Sequence, residues 1–90
     1  MIIVIGHLTL EPADRDRHVE LSSAAVELAR STPGCLDFSV GADSLDPSRV
    51  NVSERWTDRE SLDAFRGSGP DTDDGAPAIL AFHVDEYEIQ

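Results

Sequence analysis

Cysteine is nearly missing from this 90-residue chain, with Cys35 the sole example. An internal disulfide is therefore excluded, and no Cys/His spacing matches a zinc site. A reduced, cytoplasmic setting is the expectation. Basic side chains are scarce as well, seven against eighteen acidic ones, for a net charge of −11. That balance argues against nucleic acid, whose affinity rests on Lys and Arg neutralising phosphates, and against anionic membrane surfaces. A neutral, aromatic or weakly cationic ligand is easier to accommodate, and much of the acidity simply favours solubility. No apolar run approaches the ~18 residues of a membrane span. The apolar start, Met1 to Ile5, lacks the basic flank and the small-residue cleavage site of a signal peptide. GxSxG, P-loop and GxGxxG motifs are absent. Asp71, Asp73 and Asp74 before Gly75 fall one residue short of a calcium loop and lack its closing Glu. Cys35 has Asp37 nearby and no basic neighbour in sequence, so nothing marks its thiol as activated.

What is present reads as one domain over residues 1–90. A chain of this length buries only roughly 60–65% of its unfolded surface, so pairing with a second copy would help it. Ile2 to Leu10 is rich in β-branched residues and reads as a strand, with Ile2, Val4, Gly6, Leu8 and Leu10 on one face and Ile3, Ile5, His7 and Thr9 on the other. Pro12 and the acidic residues around it open a helix expected to run to about Ser31, with His18, Leu21, Ala25, Leu28 and Ala29 as its inward stripe. Pro33-Gly34 ends it. Cys35 to Gly41 alternates again, placing Leu36, Phe38 and Val40 together. Asp43 to Ser48 is turn chemistry around Asp46-Pro47. Arg49 to Trp56 returns as a strand, with Val50, Val52, Glu54 and Trp56 on one side. Thr57 and Glu60 form a capping box that starts a second helix at Asp58, with Leu62 and Phe65 as its apolar stripe. Residues 67–77 are rich in Gly, Pro and Asp and are expected to form a mobile loop beside the pocket mouth, able to act as a lid. Ala78 to Ala81 is expected as a helical turn and Phe82 to Ile89 as the last strand.

The order βαββαβ is the split βαβ unit of ferredoxin-like α+β folds. Right-handed crossovers put both helices on one face of a four-stranded antiparallel sheet. The helices should cover the face carrying Val4, Leu8, Leu36, Phe38, Val40, Val52 and Trp56. The opposite face, with Ile3, Ile5, His7 and Tyr87, is too apolar to be left in water.

Parity places Glu54 on the covered face between Val52 and Trp56, where burial should raise its pKa. Such a carboxylate suits a general base for a phenol or quinol, and the alternative is a salt bridge to an arginine. His18 lies on the inward helix stripe as a second proton acceptor or a packed core histidine. Gly6 leaves a gap on the core face. Gly6, His18, Phe38, Glu54, Trp56 and Phe65 together are expected to line a small aromatic pocket between helices and sheet. His7 and His83 should be neighbours on the other face, where a structural role outweighs metal binding.

Strand, turn, strand and capped helix in PGCLDFSVGADSLDPSRVNVSERWTDRESLDAF, residues 33–65, behind one strand and one long helix, resembles the antibiotic biosynthesis monooxygenase family of dimeric α/β barrels. The resemblance covers nearly the whole chain. It implies a homodimer packed through the helix-free sheet face, and a monooxygenase that uses no cofactor and takes a small aromatic substrate and O2. A dimeric, non-enzymatic binding module for an aromatic metabolite is the other implied function. Members that oxidise polyketide-type phenols have a tryptophan at the place of Trp56, an asparagine four residues earlier and a tyrosine six residues later. Here Val52 and Leu62 stand at those two places, and Asn51 is turned to the opposite face. Haem-degrading relatives have an asparagine and a tryptophan where this chain has Gly6 and Phe65, and a histidine for which residues 67–80 offer no counterpart. Haem is accordingly not expected to bind.

Overall fold

Alternating β-branched residues build β1, Ile2–Thr9, into the interior of a four-stranded antiparallel sheet ordered β2-β3-β1-β4. The computed structural model describes residues 1–68 and 78–90. Along the chain follow α1 (Pro12–Leu21), α2 (Ser23–Arg30), β2 (Cys35–Ala42), β3 (Arg49–Trp56), α3 (Arg59–Ser68) and β4 (Ala81–Glu88). The expected ferredoxin-like α+β order is realised. β1 pairs with β3 and β4, bringing Val4 beside both Glu54 and Glu86. The core consists of Ile2, Val4, Ala29, Phe38, Trp56 and Leu62, with Val26, Cys35, Val40, Phe65 and Val84 packed against it.

Four local expectations need correction. The first helix is bent into α1 and α2 at Ser22 rather than running unbroken to about Ser31. The Ser22 hydroxyl donates to the His18 carbonyl at 2.8 Å, a back-bond of the kind that bends helices. Its inward stripe shifts accordingly: Val19, Ser22, Val26 and Ala29 turn in, while Leu21 and Leu28 are exposed. Leu36 leaves the covered face, half exposed, because a bulge between Cys35 and Asp37 displaces it from the ladder. The cap of α3 lies one residue later than the Thr57–Glu60 reading, with the Asp58 carboxylate accepting the Ser61 amide at 2.8 Å. Residues 78–80 form no helical turn, and β4 begins at Ala81. Of the expected loop over 67–77, Gly67 and Ser68 close α3, and the rest, with its lid role, lies outside the described residues.

Gly34 is the one described residue whose φ, 93°, lies in the left-handed region, where glycine is favoured. Its carbonyl accepts the Thr57 amide at 2.8 Å, so the turn after α2 fixes the entry to α3. That junction holds Trp56 in place. The sheet face away from the helices carries Ile3, Ile5 and His7 of β1 beside Tyr87, Asp85 and His83 of β4. Ile5 is 47% and Tyr87 53% exposed. Among the described residues no helix is long and apolar enough to cross a membrane.

Candidate functional site

Glu54 and Trp56 stand two residues apart on β3 and therefore project from the same face of the sheet. The Trp56 indole Nε1 donates to Glu54 Oε1 at 3.0 Å. Trp56 is completely buried and stacks on Phe65 of α3, with centroids 5.3 Å apart and planes at 29°. Phe65 in turn meets Phe38 edge to face at 5.4 Å and 66°. Phe38 lies directly opposite Glu54 in the β2–β3 register, and Val4 opposite it on β1. A carboxylate is thus set among three aromatic rings and a valine.

That setting decides the electrostatics. Burial pushes the Glu54 carboxyl above its ordinary 4.5, against the smaller lowering effects of the Trp56 hydrogen bond and the Arg66 charge, and Glu86 adds a further push upward. Among the described residues the alternative of an arginine salt bridge to Glu54 is not realised. Arg59 and Arg66, both on α3, bind the two oxygens of Glu86 on β4 instead. Those contacts hold the Glu86 carboxyl below its usual range, led by the Arg66 hydrogen bond. Glu86 therefore takes the cations, and Glu54 keeps an uncharged partner.

Of the six residues expected around a pocket, the fold brings Glu54, Phe38, Trp56 and Phe65 together. His18 is half-buried on α1, and burial lowers its pKa, favouring the neutral imidazole. No hydrogen bond joins it to Glu54 among the described residues. At Gly6 there is no gap: an added Cβ would come within 2.0 Å of the His83 carbonyl oxygen and 2.7 Å of Val84 Cα. The backbone of β4 fills that place.

An open groove of ≈ 630 Å³ lies between the α1–α2 helices and β2. Val19, Val26 and Val40 supply its apolar lining, and Ser23, Glu27 and Arg30 its polar groups. Val26 and Val40 also pack on the core cluster, so groove and aromatic site share a wall. Arg30 Nε donates to the Phe38 carbonyl at 2.9 Å, tying α2 to that strand. Sequence reasoning placed Val40 on the covered face but missed the groove and the helix residues that line it. The spacing of Val19, Ser23, Val26 and Arg30 carries the signal, but a stripe drawn through Leu21 and Leu28 hides it.

The family model described as antibiotic biosynthesis monooxygenase matches residues 1–84. A Chloroflexus aurantiacus protein assigned to that family is similar at 33% identity and TM-score 0.74, over 96% of this chain and 89% of that one. Rv0793 from Mycobacterium tuberculosis superposes with TM-score 0.78 at 21% identity, covering 99% and 94% of the two chains. PA3566 from Pseudomonas aeruginosa does so with TM-score 0.82 at 18% identity, covering 99% and 93%. These last two likenesses establish the fold alone. The uncharacterized protein sll1783 of Synechocystis is 31% identical over 62 residues, 69% of this chain, which matches 42% of that protein's length.

Proposed function

The chain belongs to the antibiotic biosynthesis monooxygenase family, and on that premise we propose that it oxidises a small electron-rich aromatic, a phenol or quinol, with O2 and without a cofactor. The observation that carries this reading is the Glu54 carboxylate, half-buried among Phe38, Trp56 and Phe65 and raised in pKa. Raising the pKa towards neutrality strengthens a carboxylate as a base. Once deprotonated, the ring itself delivers electrons to O2. The substrate gains one oxygen atom at a ring carbon and loses two hydrogens, one from that carbon and one from the hydroxyl, which leave with the second oxygen as water. The chain supplies the base, a water-poor aromatic surface, and orientation. His18, half-buried with its neutral form favoured by burial, is a second proton acceptor at the helix side. The groove beside β2 gives a substrate an apolar approach to the wall of the aromatic cluster. Cys35, half-buried and unpaired, accords with a reducing, cytoplasmic setting.

One observation favours a second reading, a binding module without turnover. Leu62 is fully buried in the core at the place where phenol-oxidising relatives resemble one another in having a tyrosine, and Val52 stands where they have an asparagine. Oxygen uptake with a panel of quinols and anthrone-like phenols separates the two. The oxygenase reading expects substrate-dependent uptake that Glu54→Gln removes. Saturable binding of the same compounds with no oxygen consumed would overturn it in favour of the binding module.

A further inference from the structure

The row of the sheet that carries Glu54 holds a second carboxylate. Val4 of β1 is paired with Glu54 of β3 on one side and with Glu86 of β4 on the other, so both acids project from the helix-covered face. Two strand spacings, about 10 Å, separate their backbones. On α3, Arg59 and Arg66 lie about two turns apart on one side of the helix, and both guanidiniums close on Glu86. Arg66 Nη2 donates to its Oε1 at 2.5 Å and Arg59 Nη1 to its Oε2 at 3.3 Å. Glu54, by contrast, accepts from the neutral Trp56 indole. Among the described residues Arg66 is the cation whose charge registers at Glu54.

The remaining groups packed around Glu54 leave that arginine decisive. β1 contributes Val4 and β2 the Phe38 ring. Burial, foremost, raises the Cys35 thiol of β2 above 9.0, so it is uncharged at neutral pH, and Asp37 is paired with Arg55 on the opposite face. Arg30 of α2 is tied to the Phe38 carbonyl, and burial favours the neutral form of His18 on α1. Glu60 and Asp63 of α3 are exposed on its outer side. We propose that Glu86 is a positioning residue for the base: by gripping Arg66 and Arg59 it keeps a guanidinium from closing on Glu54, which stays free to take a proton. Its part in turnover rests on the oxygenase reading. Without Glu86, a change of rotamer redirects Arg66 towards Glu54, where a charge-assisted pair lowers the carboxylate's proton affinity. Loss of the Glu86 negative charge acts in the same direction. A base so paired is a weaker one.

A pH titration of the Glu54 side-chain carboxyl carbon by ¹³C NMR, on the full chain and assigned by its loss in Glu54→Gln, tests this without any substrate. Glu86→Gln should lower the proton affinity of Glu54 about tenfold or more, the effect of an opposite charge within a few ångströms. Adding Arg66→Gln should bring it back close to the parent, because the cation that closes on Glu54 is then gone. Should Glu86→Gln loosen β4, Arg66→Gln alone carries the test: it leaves Glu86 to Arg59 and should raise the proton affinity of Glu54. With a quinol that supports oxygen uptake, the acid limb of the rate profile should move to lower pH in Glu86→Gln, with a lower plateau. If Glu86 only clamps β4 to α3, its loss would lower the melting temperature and leave the Glu54 titration in place, which overturns the proposal. A shifted titration without oxygen uptake by the parent would retire the oxygenase reading and leave the link from Glu86 through Arg66 to Glu54 established.

Discussion

At neutral pH the half-buried Glu54 carboxylate opposes folding, because its protonated form suits that site better than its charged form. A carboxyl whose folded pKa lies above its unfolded value binds more protons in the native state, so stability falls as pH rises through the interval between the two. For Glu54 that interval begins near 4.5. Glu54→Gln retains an oxygen that can accept the Trp56 indole and removes the charge. Thermal melts should therefore show the variant at least as stable as the parent at pH 7, and without this group's loss of stability on raising the pH. A structural ion pair would behave oppositely, with the variant destabilised by about 3–5 kcal/mol. If Glu54 is the base, the same substitution lowers turnover by about 10²–10⁴-fold. The placement of Glu54 was legible because strand parity is local: Val52, Glu54 and Trp56 must share a face. Its partner was not, since the arginines of α3 are claimed by Glu86, which follows them by 20 residues or more and reaches them only through the fold.

The sheet and its turns make two further statements testable. Gly6→Ala would drive a methyl group into the β4 backbone at His83 and Val84, at a cost of about 1–3 kcal/mol for such overpacking. Gly41→Ala is the control, because among the described residues nothing lies within 4 Å of its added Cβ. Melting temperature should fall clearly for the first and change little for the second. The turn between β2 and β3 is held by Asp43, which accepts the amides of Leu45 and Asp46 at 3.1 and 2.8 Å and the Asn51 side chain at 2.9 Å. These bonds, the Asn51 contact foremost, lower its pKa from 3.8 to about 2. The stability they give is complete above 3.8 and is lost as pH falls through about 2. Asp43→Ala should lower the melting temperature at pH 7 and show a weaker acid dependence over that interval. Element types and order were readable from periodicity and breakers, since Pro12, Pro33-Gly34 and Asp46-Pro47 punctuate the chain. The bend at Ser22 and the bulge at Leu36 were not. A serine mid-helix bonds either outward or back to the carbonyl four residues earlier, as Ser22 does to His18, and a bulge inverts parity without any required residue.

Across the whole molecule, one face of the sheet is covered by helices and the other leaves Ile3, Ile5 and Tyr87 without cover in the single chain. Burial contributes roughly 1.5–3 kcal/mol for each aliphatic side chain fully removed from water. A symmetric dimer through that face is the economical solution for a chain this small. Light scattering at micromolar concentration should report two chains, and Ile5→Glu should weaken association by about tenfold or more. A monomeric parent protein would remove the dimer from the account. The central claim is that this fold transfers one oxygen atom from O2 to an electron-rich ring, with Glu54 as base. Turnover of a responsive quinol or anthrone under ¹⁸O2, followed by mass spectrometry of the product, tests it most directly. The account predicts one labelled oxygen per product molecule with the parent protein and loss of that product with Glu54→Gln. An unlabelled product, or equal labelling by the variant, would contradict it.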